Sequence, residues 1–148
     1  MKKRSSSEQR AALQALMQLF GGVKQAMRQQ LLAGADAPSA GPVTLSVLRH
    51  CQRQPGITQQ ALAQLTGRDK GQVARLVKEL LDQGLLVREA HPDDKRSHRL
   101  QPSTAGLAAC DRFEQAEAAV AARLFDDLSA ATLGAMAAEL ARLKARLD

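Results

Sequence analysis

The sequence predicts a mainly α-helical chain with one small β-hairpin, an α+β fold in a single domain over residues 1–148. Three observations carry this. Two short helical patterns joined by a Gly-containing turn occupy Ile57 to Gly84. Two strand-like runs around a basic tip follow, from Leu85 to Gln101. Long stretches with apolar residues every three or four positions flank this centre, at 7–33 and 103–148.

Taken in order, residues 1–6 read as a basic tail. From about Ser7 to Ala33, Leu13, Leu16, Phe20, Val23, Met27 and Leu31 mark one face of a helix, which Gly21-Gly22 should weaken or bend. GADAPSAGP, residues 34–42, is a loop by its Gly, Pro and Asp content. A second helix, about Val43 to Gln54, turns Leu45, Leu48 and Cys51 inward and stops at Pro55-Gly56. Ile57 reads as a short strand residue, and Thr58 as the N-cap of a third helix to about Leu65, with Ala61, Leu62 and Leu65 inward. Thr66-Gly67-Arg68 is the turn. Asp69 caps the fourth helix in a box with Gln72, and Gly84 closes it after Gln83.

The fourth helix has two faces. Val73, Leu76, Val77, Leu80 and Leu81 have the spacing of a core-facing stripe. Lys70, Gln72, Arg75 and Lys78 fall largely off it, and such a side suits the phosphates and base edges of a DNA major groove. Gln72 and Arg75 are the candidates for base edges, Lys70 and Lys78 for phosphates, and Gly71 lets the backbone approach. Most charged helix faces are only solvated surface, so the next segment decides. Leu85–Ala90 and Ser97–Gln101 read as paired strands around His91-Pro92-Asp93-Asp94-Lys95-Arg96. A hairpin directly after such a helix is a wing, able to place a cation in a minor groove. Arg96 is that cation, Asp94 is expected to orient it by a charge-assisted hydrogen bond, and Lys95 and His98 add phosphate contacts. With Thr58, Gln59 and Arg68 these residues form the expected DNA-binding set. Residues 43–102 are thus a winged helix-turn-helix lobe with its wing at 85–101.

Ser103 caps a fifth helix, about Thr104 to Phe125, marked by Leu107, Cys110, Phe113, Val120 and Leu124. Asp126-Asp127 break it, and Ser129 caps a sixth, about Ala130 to Leu147. There Leu133, Met136, Leu140, Leu143 and Leu147 repeat as a heptad seam. The central lobe already has its own small core. The terminal helices, 7–33 and 103–148, are therefore expected to meet those of a second copy, with Leu13, Leu16 and Phe20 joining the seam in a homodimer.

Composition agrees. At 148 residues and 45% hydrophobic, the chain can bury a real core. No apolar run approaches a bilayer span, so no membrane partner is expected. MKKRSSSEQR has no apolar run behind it, which reads against a secretory signal and for a cytoplasmic protein. The net charge of +6 favours a polyanionic partner. It is uneven. Arg49 to Pro102 holds ten Lys or Arg against six Asp or Glu, while Ser103 to Asp148 holds five against seven.

The order of helices, the segment GRDKGQVARLVKELLDQGLLVRE and the wing HPDDKRSHRL resemble the multiple antibiotic resistance regulator (MarR) family of winged-helix repressors. The resemblance covers nearly the whole chain. Its most specific marks are Asp94-x-Arg96 and the cap Ser103-Thr104-Ala105-Gly106. Family members commonly have Leu-Thr-Pro-x-Gly at that cap. Pro102, Ser103 and Thr104 stand at its first three positions here, and Gly106 matches. The resemblance implies a triangular homodimer on a palindromic operator, released by a small effector, frequently aromatic or phenolic, bound between the two halves. With three Phe and no Tyr or Trp, the sequence offers few residues for an aromatic pocket.

Other classes have less behind them. Cys51 and Cys110 lie in apolar helical contexts, reading as small buried side chains rather than as the thiols of a redox-sensing regulator. His91, Asp93, Asp94 and His98 lack compact metal-ligand spacing, so no metal is expected. No phosphate loop, nucleophile elbow or zinc-protease motif is present, and His50 and Cys51 diverge as neighbours on a helix, so no enzyme or cofactor is implied. A winged-helix module for protein contacts is the remaining alternative.

Overall fold

The computed structural model describes residues 6–34, 37 and 39–147. Most of the basic tail (1–5), positions 35, 36 and 38 of the first loop, and residue 148 lie outside the described residues. The order is α1 (Ser6–Leu32), α2 (Pro42–Arg53), β1 (Ile57–Thr58), α3 (Gln59–Thr66), α4 (Lys70–Asp82), β2 (Leu86–Ala90), β3 (His98–Pro102), α5 (Thr104–Phe125) and α6 (Ala130–Lys144). The strands form one antiparallel sheet in the order β1-β3-β2. Leu100 of β3 lies between Ile57 and Arg88 and is buried, which fixes the register of the wing on the core.

Short polar residues start the helices. Thr58 accepts the Ala61 N–H at 3.1 Å, Asp69 that of Gln72 at 2.9 Å, Ser103 that of Gly106 at 3.0 Å and Ser129 that of Thr132 at 3.1 Å. Each such cap contributes about 1 kcal/mol. Gly67 ends α3 at φ 63°, a left-handed turn that only glycine adopts without cost. α2 begins at Pro42, one residue earlier than the apolar spacing predicts, because proline is tolerated in a first turn.

The core is one body. Leu45, Leu48, Leu62, Leu80 and Leu100 are fully buried, and the same cluster runs out to Met27 and Leu31 of α1 and to Val120 of α5. The central lobe therefore has no separate core, contrary to the sequence expectation. The second half of α1 and most of α5 complete it. Three inward assignments also change. Leu65 is 47% exposed, and Ala63 takes the buried place beside Leu62. Leu107 and Leu124 point out, while α5 buries Gly106, Ala109, Cys110, Phe113, Ala116 and Val120. Small residues win on that line because α5 approaches its neighbours closely. α1 runs unbroken through Gly21-Gly22, whose cost of about 1 kcal/mol per glycine is spread over 27 residues of helix.

Both ends of the chain stand away from this core. Residues 6–22 of α1 are exposed, and α6 buries none of its residues. α6 ends at Lys144, so Leu147, predicted as the last step of the seam, lies in a turn beyond the helix.

The wing is joined to α5 by a tight clasp. The Ser103 hydroxyl donates to the Gly84 carbonyl at 2.6 Å, and the Ser103 N–H to the Leu85 carbonyl at 3.0 Å. Gly106 packs on the same carbonyl. A Cβ there would overlap the Leu85 oxygen, lie 3.0 Å from its carbon and 3.3 Å from Pro102 Cβ. Backbone cannot yield as a flexible side chain does, so Gly106→Ala should cost about 3 kcal/mol. Circular dichroism should show the melting temperature falling by roughly 6–12 °C for a chain of this size.

Candidate nucleic-acid interface

α4 buries Val73, Leu76, Val77 and Leu80, and this turns Lys70, Gly71, Gln72, Arg75 and Lys78 to solvent. The helix start is kept low by its cap. A Cβ on Gly71 would sit 3.2 Å from the Asp69 carboxylate that holds the Gln72 N–H. Arg75 and Lys70 have no ion-pair partner among the described residues. Lys78 pairs with Asp82 at 2.5 Å, but both side chains are exposed and such pairs contribute little.

The wing tip is a hydrogen-bonded turn. The His91 N–H donates to the Ser97 carbonyl and the Ser97 N–H to the Asp94 carbonyl, both at 3.0 Å. Asp94 does not hold the Arg96 guanidinium. Its carboxylate accepts the Arg96 backbone N–H at 2.9 Å, because a carboxylate two residues before an N–H closes a local turn more readily than it reaches a long side chain. Arg96 thus has a fixed base and, among the described residues, no carboxylate paired with its charged end. His91 Nδ1 accepts the Asp93 N–H at 3.2 Å, so it too serves the tip.

A cleft of about 410 Å³ separates the wing from α3 and α4. It brings Gln59, Arg88, Asp94, Arg96 and His98 together over a floor of Val77, Leu81 and Leu100. Lys95 is exposed outside it. Thr58 is half-buried with its hydroxyl spent on the α3 cap, and Arg68 is half-buried in the turn before α4. Arg88 is the cation that sequence reasoning missed. Alternation along β2 puts it on the same face as the buried Leu86 and opposite Leu100, past the edge of the core, and only the pairing with β3 places it beside Arg96 and His98.

A second feature lies between α2 and α5. Arg49, only 17% exposed in its side chain, pairs with Glu117 and, at 3.5 Å, with Glu114 of α5. Its guanidinium carbon stands 5.8 Å from the centre of the Phe113 ring. Glu114, Glu117 and Phe113 also line an apolar cavity of about 650 Å³ between α1, the start of α2 and α5. Two of the three Phe, Phe113 and Phe125, line it, so the scarce aromatics are gathered there.

These elements define a winged helix-turn-helix protein. Residues 41–97 match the profile of the MarR family. A proposed transcriptional regulatory protein for the hcr operon of Thauera aromatica is 33% identical over 75 residues, 51% of this chain and 45% of that protein. The match thus spans less than half of the relative's length. The fold resembles a MarR transcriptional regulator from Methanosarcina mazei Go1 (TM-score 0.79, 19% identity, 93% of this chain and 96% of that one). It equally resembles Streptococcus pneumoniae FabT in complex with DNA (TM-score 0.79, 17% identity, 93% and 96%). Residues 41–97 thus match the MarR family by sequence, and the chain shares the winged-helix fold of MarR regulators over nearly its whole length. No helix among the described residues is long and apolar enough to cross a membrane.

Both thiols are free and buried. Burial pushes Cys51 up to about 12, with Cys110 adding to the shift, and pushes Cys110 up to about 11, with Asp111 adding. Burial and then Arg53, Arg49 and Arg68 hold His50 below the ordinary imidazole range, so it stands neutral at pH 7 beside a thiol it does not activate. At pH 8 a disulfide reagent should label native protein roughly a hundredfold more slowly than urea-unfolded protein, in proportion to the thiolate present. Equal rates, followed by absorbance, would contradict the raised thiol values.

Proposed function

We propose that the chain is a homodimeric transcriptional repressor that binds a palindromic DNA operator and is released by a small molecule. One observation carries the DNA reading. The fully packed inner face of α4 forces Lys70, Gln72, Arg75 and Lys78 outward on the same lobe as the basic wing. The fold likeness to FabT in its DNA complex supports it. A role on operator DNA implies a cytoplasmic protein. The wing-held protein-contact module is the less favoured reading, since its partner would have to match a cationic face.

The dimer is supported by what the single chain leaves bare. Phe20 is 64% exposed and Leu140 50%, with Leu13, Leu16, Met136 and Leu143 exposed beside them and Leu133 half-buried. Apolar faces of this extent mark an association surface. Two-fold symmetry then gives two reading lobes and a palindromic site. Release by a small molecule is supported by the cavity between α1, α2 and α5, which has the size and apolar lining of a ligand site. The raised, buried thiols favour such a ligand over oxidation at Cys51 or Cys110.

Two experiments test this. Titration of operator and random duplexes should show Arg75→Ala losing about 1–3 kcal/mol on the operator with relaxed discrimination, and Lys78→Ala weakening all sequences alike. In the same assay Asp94→Ala should bind more weakly although it removes a negative charge, because the turn that seats Arg96 is lost. Tighter binding would leave only simple electrostatics. Separately, sedimentation of a variant with Glu at both Leu140 and Leu143 should show monomer or unfolded chain, since unpaired charge is costly in a seam. A monomeric wild type at micromolar concentration ends the dimer reading.

A further inference from the structure

We infer that the cavity between α1, α2 and α5 takes a lipophilic organic monocation, which binds by drawing Glu117 away from Arg49. The inference rests on the effector-released regulator proposed above and names the chemistry of its ligand. The cavity is apolar over most of its wall, through Val23, Met27, Pro42, Phe113, Leu124 and Phe125. Among the described residues, Glu114 and Glu117 are its only ionisable lining residues. Outside the lining, Arg49 answers them with a single guanidinium. Two carboxylates against one cation leave one negative charge in surplus at the edge of an apolar space. A carboxylate or phenolate ligand adds to that surplus, and a neutral one leaves it standing. A cation with an apolar body removes it, and its charge can face the Phe113 ring as Arg49 now does.

The position gives such binding a consequence. The Arg49 ion pairs tie α2 to α5, and α2 reaches α4 through the Thr44 hydroxyl, which donates to Glu79 at 3.3 Å. A ligand that takes Glu117 favours the state in which α2 is unlatched from α5, and α4 moves with α2. Differential affinity for the two states is what release of DNA requires.

Tetraphenylphosphonium and tetraphenylborate have nearly the same size and shape and opposite charge, so calorimetry of the full chain with each isolates the sign. The phosphonium should bind at least about tenfold more tightly than the borate. Glu117→Gln should weaken it about tenfold, whereas Arg49→Gln should tighten it, because the competing guanidinium is gone. Both variants break the same ion pair, so a merely structural role would move them together. Glu114→Gln serves where Glu117→Gln does not fold. Equal or tighter binding of the borate overturns the inference. So does binding of neither ion, as when a second copy fills the cavity, or a parallel shift in the two variants. Calorimetry needs no DNA. A chain that binds phosphonium but no duplex fails the regulator reading alone. A chain that binds its operator, with phosphonium neither bound nor releasing it, fails this inference alone.

Discussion

The seating of Gly106 on the Leu85 carbonyl sets the geometry of the rest of the molecule. That carbonyl accepts the Ser103 N–H, while the Ser103 hydroxyl binds the Gly84 carbonyl and caps α5. One short stretch therefore closes α4, opens β2, ends β3 and starts α5. Gly84 supplies the left-handed residue at φ 69° that lets the chain turn from α4 into the sheet. Gly106 supplies the missing side chain that lets α5 lie against the turn. A side chain at either position would disturb the junction between α4 and α5.

From that junction the core spreads in one direction only. It runs through α2 to the second half of α1, and it never reaches residues 6–22 or α6. Helices with an apolar face and no core of their own gain little stability from propensity alone. The exposed seam is thus an unmet packing demand of the single chain, one that the second copy proposed above would meet with the same seam.

The sequence was most informative where one residue type performs one local task. The caps at Thr58, Asp69, Ser103 and Ser129, the turn glycines and the α4 stripe follow from short-range stereochemistry, and all appear in the structure. Likewise the exposure of Lys70, Gln72, Arg75 and Lys78 follows from helix periodicity. What spacing could not supply was long-range company. Leu65, Leu107 and Leu124 satisfy the helical period yet face outward, because close approach of a neighbour favours Ala63 or Ala109 over a larger side chain. Arg49 lies 65 and 68 residues from its two carboxylates, so nothing local marks the clamp. The Asp94 role changed for the opposite reason. Its nearest donor, the Arg96 N–H, is closer along the chain than the guanidinium, and the local bond won.

α2 is committed on both sides. Its buried face, Leu45, Leu48 and Cys51, fills the centre of the core, and its edge carries Arg49 to α5 and Thr44 to α4. A close-packed face resists gradual deformation, so a helix held this way shifts as a body or not at all. The two kinds of hold differ in strength. The apolar packing is non-directional and survives a small slide. The Arg49 pairs, partly exposed at Glu114 and Glu117, depend on geometry and exchange readily for another charge. Any signal between the cavity and α4 must therefore act on the ion pairs first and leave the core packing in place, which keeps the lobe folded while its angle changes.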